Sequence, residues 1–446
     1  MPVPYPASLS RRSLLRSAAA TAAATSLPAW FLEGAVAQEA APVKSPNARP
    51  RVALIGCGGM GSYDATLAQR FGDIVAVCDV DAGRAAEARA KFNSAEVFYD
   101  FRKVCESPKI DVIVNGTPDH WHTLVNLRAL AAGKDVYAEK PLTLTIDEGK
   151  RLVAAVKAGD RILQTGSQQR SDRNFRFACE LVRNGRLGKI TRVQTWLPEG
   201  LRGGPFVERP APQELNWDFW QGQTAARSYV PERCHRTFRY WWDYSGGTVT
   251  DWGAHHNDIA LWGLGRDGSG PSAVEGQGLV ETVPGGYTAP NAYRIRYAYD
   301  DGVEHICQST SANSWGGAVV GKPKEGERYH GVMFEGADGW LFVTRDGKLE
   351  ASDPELLVAP LPSDAVRLYA SDDHMANFFE CVATRKQPIC PAEVGHRSVS
   401  LCHLGTIAIR LGRKLQWDPV AEDFVGDKEA SGMLVREMRK PYDYDM

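Results

Sequence analysis

The 446-residue sequence lacks any apolar run long enough to read as a committed membrane span, so no stable transmembrane helix is expected. It lacks a lysine/arginine run, and its 52 basic side chains are balanced by 54 acidic ones. A nucleic-acid groove or polybasic membrane patch is therefore not expected. Nine cysteines are scattered, odd in number and without a C-x-x-C pair, which argues against a disulfide framework. Cys78 and Cys402 lie in apolar runs and read as buried, inert thiols. Internal repeats are absent as well. What is present is ordinary for a globular chain, 43% hydrophobic and 24% charged, with length enough for two cores. Twelve tryptophans suit large cores, and their flat faces also suit the C–H groups of sugars.

The first residues read as a leader rather than as fold. Ser10-Arg11-Arg12-Ser13-Leu14-Leu15-Arg16 precedes an alanine-rich stretch, and Ala35-Val36-Ala37 offers a small-residue cleavage site before Gln38. A twin arginine, a mildly apolar run and an A-x-A end predict a Tat signal over residues 1–37, with a linker over 38–48. The expectation is a periplasmic protein exported already folded by the Tat machinery, which needs no disulfides.

From Arg51 short apolar runs alternate with helical spacing. Strands are predicted at Arg51–Ile55, Ile74–Cys78, Asp111–Val114, Asp135–Ala138 and Arg161–Gln164, with helices at Met60–Arg70, Ala82–Phe92, His120–Ala132 and Ile146–Ala158. That alternation implies a doubly wound parallel sheet over residues 49–168. Beyond residue 169 the pattern changes. Ile190–Leu197 alternates, Ala292–Tyr299 and Val303–Ser309 flank Asp300-Asp301-Gly302, and Val332–Glu335, Trp340–Thr344 and Lys348–Ala351 follow as a meander. Helices are predicted at Asn174–Asn184, Asp251–Leu264 and Val394–Leu411. The fold class is thus α/β, with a second α/β domain over 169–446 carrying a large, mostly antiparallel open sheet.

Gly56-Cys57-Gly58-Gly59-Met60-Gly61 matches G-x-G-x-x-G between a predicted strand and a predicted helix. In that context Gly56 makes the tight turn, Gly58 lets backbone approach a pyrophosphate, and Gly61 lets helix pack on strand. Gly59 and Met60 open the helix, whose free N–H groups favour phosphate. Asp79, ending the next strand, suits the adenosine ribose hydroxyls and favours NAD over NADP.

Two further segments end strands at the same sheet edge: Asn115-Gly116-Thr117-Pro118-Asp119-His120-Trp121-His122 and Ala138-Glu139-Lys140-Pro141. A lysine there can steady a developing alkoxide. Downstream, Asp251 and His255 stand at i and i+4, sharing one face if the helix begins there, and histidine suits the removal of a hydroxyl proton. His255 and His256 diverge by roughly 100° on a helix, so no metal site is expected. Gln168 and Arg170 follow the last strand of the parallel sheet and are candidates for nicotinamide and substrate contact. Trp121 either stacks on a sugar ring or fills core, and His256 is a candidate substrate contact.

The G-x-G-x-x-G turn, the Thr117-Pro118-x-x-x-His122 run, the Glu139-Lys140-Pro141 tripeptide and the helix bearing Asp251, His255 and Asp258 occur together and in order. In this the chain resembles the glucose-fructose oxidoreductase/inositol dehydrogenase (Gfo/Idh/MocA) family from about residue 49 onward. The resemblance implies a Rossmann domain, a C-terminal domain with a large antiparallel sheet, and a substrate between them. It implies cofactor contacts at Thr117, Pro118, His122 and Glu139. Lys140 would touch nicotinamide ribose and substrate, Asp251 would orient substrate hydroxyls, and His255 would be the acid/base. It also implies homodimers or homotetramers formed through the open sheet face. His256 and the run Arg236–Tyr244 depart from the family pattern, which leaves the substrate open. The expected activity is NAD-dependent hydride transfer at a secondary alcohol of a sugar, glycoside or polyol, with the cofactor tightly held. Redox-neutral glycoside cleavage or epimerisation through a keto sugar is the alternative. A non-catalytic dinucleotide- or sugar-binding protein is the other.

Overall fold

The computed structural model describes residues 49–93, 96–310, 330–345 and 347–444. The leader expected over 1–37 and its linker to 48 lie outside the described residues. Five of the six strands of the first sheet follow the apolar runs anticipated from the sequence. In chain order the elements are β1 (Arg51–Ile55), α1 (Gly59–Ala68), β2 (Asp73–Cys78), α2 (Ala82–Phe92), β3 (Glu96–Phe98), α3 (Phe101–Glu106), β4 (Val112–Asn115), α4 (Asp119–Ala131), β5 (Asp135–Ala138), α5 (Ile146–Ala158) and β6 (Leu163–Thr165). The sheet order is β3-β2-β1-β4-β5-β6, parallel throughout. The order reverses beside β1, and ligands bind at such a switch point, past the strand carboxyl ends. Strands β1, β4 and β5 are apolar on both faces because helices cover both.

The second half continues with α6 (Arg173–Arg183), β7 (Ile190–Leu197), α7 (Thr248–Asp251), α8 (Gly253–Leu264), β8 (Ala273–Gly278), β9 (Tyr293–Ala298), β10 (Glu304–Ser309), β11 (Gly331–Gly336), β12 (Gly339–Val343), β13 (Leu349–Ala351), α9 (His374–Thr384), α10 (Ala392–Leu411), β14 (Leu415–Asp418) and β15 (Asp423–Phe424). Its nine strands run β13-β12-β11-β7-β10-β9-β8-β14-β15. All neighbours are antiparallel except β7 and β10. One sheet face packs on α6, α8 and α10 through residues such as Val193, Ile295, Tyr297 and Phe334. The other carries exposed ion pairs, among them Arg192–Glu304 at 3.0 Å and Arg296–Glu275 at 3.2 Å.

Three features differ from expectation. The helix foreseen over Asp251–Leu264 is two pieces, α7 and α8, hinged at Trp252, whose carbonyl accepts from both His255 and His256 N–H groups. Helix α9 returns from the second half to cover the parallel sheet, where Met375, Phe378 and Phe379 pack with Val52, Leu54 and Tyr137. Helix α10 runs between the halves: any side chain at Gly395 would strike Thr165, and Cys390 O accepts from Thr165 N–H. All nine cysteines are free and buried, and burial pushes Cys105 and Cys390 up to about 12. Among the described residues no helix is long and apolar enough to cross a membrane.

Candidate active site

A cavity of about 600 Å³ opens past the carboxyl ends of β1, β2, β4 and β5, with α7, α8 and the segment 235–240 as its far wall. One end is the glycine turn. Gly56 has φ +85°, and a Cβ there would meet Thr117 N at 2.5 Å. A Cβ on Gly61 would lie 2.1 Å from Gly56 O, so the helix reaches its strand only as glycine. At Gly59 nothing lies within 4 Å of the added carbon, which leaves an open cradle. Helix α1 begins at Gly58 with neither a capping side chain nor an acid in its first turn. Its free N–H groups and dipole are thus left for an anion. Asp79 stands across the cavity, its two oxygens fixed by the N–H groups of Cys57 (2.8 Å) and Asp81 (3.0 Å). A carboxylate has lone pairs left for ribose hydroxyls. The cradle fits a dinucleotide: Gly58–Met60 would hold its pyrophosphate and Asp79 its adenosine ribose, and Thr117, Pro118 and Lys140 line the wall beyond them.

The other end carries the charged groups. The side chain of Lys140, leaving β5, gives two hydrogen bonds to Asp251: to Oδ1 at 2.5 Å and to the main-chain oxygen at 3.1 Å. Arg239 Nε reaches the same Oδ1 at 3.2 Å. Burial favours the neutral acid at Asp251, but Lys140 and Arg239 outweigh it and hold the carboxyl well below the usual range. His255 is buried in the same wall, and its ring makes no hydrogen bond to any described residue. Burial, then the charges of Arg345 and Lys140, push its pKa well below the ordinary value, so the ring is neutral at pH 7.

Several residues singled out from the sequence lie behind this wall. His122 is clamped between carbonyls, Nδ1 to Pro141 O at 2.7 Å and Nε2 to Thr117 O at 2.8 Å. It staples the two cofactor-facing loops together and does not face the cavity. Glu139 is buried and accepts from Gln168 Nε2 at 2.9 Å. Beside it Asp64 is raised well above the carboxylate range by burial and by Glu139 itself. Glu139 and Gln168, expected at the cofactor, are not among the residues lining the cavity and lie next to Lys140 in the fold. Arg170, expected to meet substrate, is 2% exposed and forked between Asp258 (2.8 and 2.9 Å) and Asp267 (2.8 and 3.1 Å). Its guanidinium fork is spent on these two acids. His256, also expected at the substrate, is fully buried between Gln169 (3.2 Å) and His330 (3.0 Å). Trp121 is largely core: its Nε1 donates to Trp220 O at 2.9 Å and its ring packs edge-on with Phe101 and Phe219, though it also lines the cavity. Wall residues near the charged end that were not predicted as site residues include Arg239, Arg345 and Trp252. Arg239 lies in the aromatic and basic run that departs from the family pattern. Arg345 follows β12 at a turn with no motif around it.

Comparison with known proteins places this geometry. Residues 50–167 match the family described as "Oxidoreductase family, NAD-binding Rossmann fold" and residues 204–444 match its "C-terminal alpha/beta domain". A myo-inositol 2-dehydrogenase of Thermotoga maritima is 31% identical over 141 residues, 31% of this chain and 42% of that protein. The chain thus spans about two fifths of that relative's length. The fold is shared with GenD2 from gentamicin A biosynthesis, solved in complex with NAD (TM-score 0.61, 17% identity, covering 85% of this chain and 100% of that one). It is shared too with an aldose-aldose oxidoreductase from Caulobacter crescentus (TM-score 0.59, 18% identity, 82% and 99% covered). The cofactor is NAD, given by the NAD-binding family match, and the cradle and Asp79 fit it. With both domains matched over most of its length, the chain belongs to the Gfo/Idh/MocA oxidoreductase family.

Proposed function

We propose that this protein oxidises or reduces a secondary alcohol of a sugar, glycoside or polyol. The observation that carries the reading is one cavity holding the glycine cradle at one end and, at the other, Lys140 bound to Asp251 at 2.5 Å beside the unbonded ring of His255. Bound NAD supplies the hydride acceptor or donor at nicotinamide C4. The protein supplies the rest. An ammonium has three N–H donors. Lys140 gives two to Asp251, which leaves one for the reacting oxygen. Asp251, kept ionised, accepts from a neighbouring substrate hydroxyl. The neutral His255 takes the proton of the reacting hydroxyl. In the oxidative direction the C–H and O–H bonds break and the C=O bond forms. Gly58–Met60 and Asp79 would hold the NAD that takes the hydride, and His255 takes the proton. Lys140 offsets negative charge on the oxygen as it builds.

The inositol dehydrogenase relative supports a polyol or sugar substrate. Paired oxidation and reduction on a retained cofactor is the form of this reaction that suits a compartment with little free NAD. We infer, from the leader, Tat export to the periplasm. Replacing Arg11 and Arg12 by lysine then leaves the precursor in the cytoplasmic fraction. The direct test of the reaction is absorbance at 340 nm of NAD-loaded protein mixed with a panel of aldoses, polyols and glycosides. His255→Ala slows this reduction by about 10²–10⁴-fold while still binding NAD. Reduction at the parental rate would remove His255 from the chemistry.

A further inference from the structure

The substrate end of the cavity carries more positive charge than it uses. Its wall holds Lys140, Arg236, Arg239 and Arg345 against two acids, Asp251 and Glu199. Lys140 and Arg239 are both committed to Asp251. Arg345 forms neither an ion pair nor a hydrogen bond with any described residue; its guanidinium lies over the Trp252 ring, 5.0 Å from the centroid. Trp252 and His255 line the same wall, so Arg345 is held by stacking next to the reacting groups. Arg345 stacks on Trp252 beside His255, whereas Arg84 lies at the glycine end, its Nη1 2.9 Å from where a Cβ on Gly58 would stand. The two arginines thus belong to opposite ends of the cavity, and Arg345 is not placed for the cofactor's phosphates. Arg239 also keeps its Nη2 unbonded, since Nε goes to Asp251 and Nη1 to Arg236 O.

A neutral sugar filling this space would strip water from Arg345 and give it no countercharge. An anion would give it one, and the planar fork of a guanidinium matches a carboxylate or phosphate with paired hydrogen bonds. Arg345 is solvent-exposed, so a bound anion is free to supply that countercharge. We propose that the substrate is an acidic sugar, whose carboxylate or phosphate seats on Arg345 and the free edge of Arg239 while its reacting carbinol faces Lys140, Asp251 and His255. The proposal rests on the dehydrogenase reading above and narrows its substrate class.

The test is titration of NAD-loaded protein, followed by calorimetry and by tryptophan fluorescence, with D-glucuronate, D-gluconate and glucose 6-phosphate against glucose and myo-inositol. The same panel is run for cofactor reduction at 340 nm. One charge-assisted contact predicts roughly 10- to 100-fold tighter binding of the matching acid than of its neutral counterpart. Arg345→Gln collapses that preference, and Arg345→Lys, which keeps the charge but not the fork, restores part of it. Preference for glucuronate or gluconate identifies a carboxylate substrate, and preference for glucose 6-phosphate a phosphorylated one. Equal affinity for charged and neutral sugars, or acid binding untouched by Arg345→Gln, overturns the proposal. If neutral sugars alone reduce the cofactor, the seat is wrong and the dehydrogenase reading stands. If acids bind through Arg345 but no sugar reduces the cofactor, the seat stands and the hydride reading fails.

Discussion

Replacing Arg170 by methionine separates a substrate contact from a framework contact. Its guanidinium makes four hydrogen bonds, two to Asp258, which is fully buried, and two to Asp267, whose side chain is 36% exposed. The Asp267 pair is partly solvated and is worth at most about 1 kcal/mol. The Asp258 pair is different. Removing one partner of a buried pair strands the other, at a cost of about 3–5 kcal/mol. Ser398, at 2.6 Å from Asp258 Oδ1, returns part of this, so a net loss of about 4 kcal/mol is expected. If the second half unfolds as one unit of roughly 270 residues, its unfolding entropy is about 0.6 kcal/mol/K and Tm falls by about 7 °C. The deficit also depends on pH. Burial raises Asp258 even with Arg170 present, and without the arginine its folded pKa rises further. A group whose folded pKa is raised keeps its full stability below the unfolded pKa and loses it as pH rises through the folded one. The gap between variant and parent therefore shrinks from pH 8 to pH 5. Urea midpoints and thermal melts at both pH values measure this. Arg170→Met/Asp258→Leu, which removes both charges, recovers most of the loss. The reasoning is refuted if Arg170→Met melts within about 1 °C of the parent yet loses substrate turnover, because Arg170 would then be spent on substrate.

Gly61→Ala places a carbon 2.1 Å from Gly56 O, so the turn must open. NAD affinity is expected to fall at least tenfold by calorimetry, while the acid-sugar preference at the far end is retained; parental NAD affinity would contradict the cradle. Burial holds His374 at about 4 and His120, His305 and His403 at about 3. Their depressed pKa values mean that stability is full above about 6.5 and is lost as pH falls toward 4, at roughly 1.4 kcal/mol per unit for each ring. Glu148, raised to about 7 by burial, works in the opposite sense over the same window and cancels about one of the four. The urea midpoint at pH 5 should be clearly below that at pH 7.5, and equal midpoints would show that these rings titrate normally.

The parallel sheet was legible because each of its central strands is a short, continuous apolar run and each crossover helix has its own period. The structure bears out both the doubly wound sheet and the mostly antiparallel second one. What was not legible depends on distant packing. Helix α9 covers the parallel sheet from a point more than 200 residues beyond its last strand, an assignment no local pattern encodes. The parallel pairing of β7 with β10 is likewise invisible, because strands 107 residues apart (304 − 197) carry no mark of mutual direction. The hinge at Trp252 escaped notice because helical periodicity runs straight across Asp251–Leu264. Asp251 and His255 nevertheless line the same cavity, so the functional inference from their spacing survives the break.

The two ends of the cavity differed in legibility for a physical reason. The cofactor end is a backbone device: glycines are demanded where chain meets chain at 2–3 Å, and that demand is written at fixed spacing within six residues. The substrate end is assembled from side chains on four separate segments, around residues 140, 239, 251–255 and 345. Two of these, Lys140 in its Glu-Lys-Pro tripeptide and Asp251 with His255, have a local signature. Residue type alone then misleads, because the groups that could bind a sugar are also those that hold the wall. His122, Glu139, Gln168, Arg170 and His256 all have the chemistry of ligands, and each has its hydrogen-bonding capacity taken by protein. A buried polar group must be satisfied by something, and these are satisfied by the fold. His255 is not, and Arg345, exposed to solvent, has no hydrogen-bond or ion-pair partner among the described residues. Unspent donors and acceptors in a cavity wall, rather than ligand-like identity, single out the residues that await a substrate.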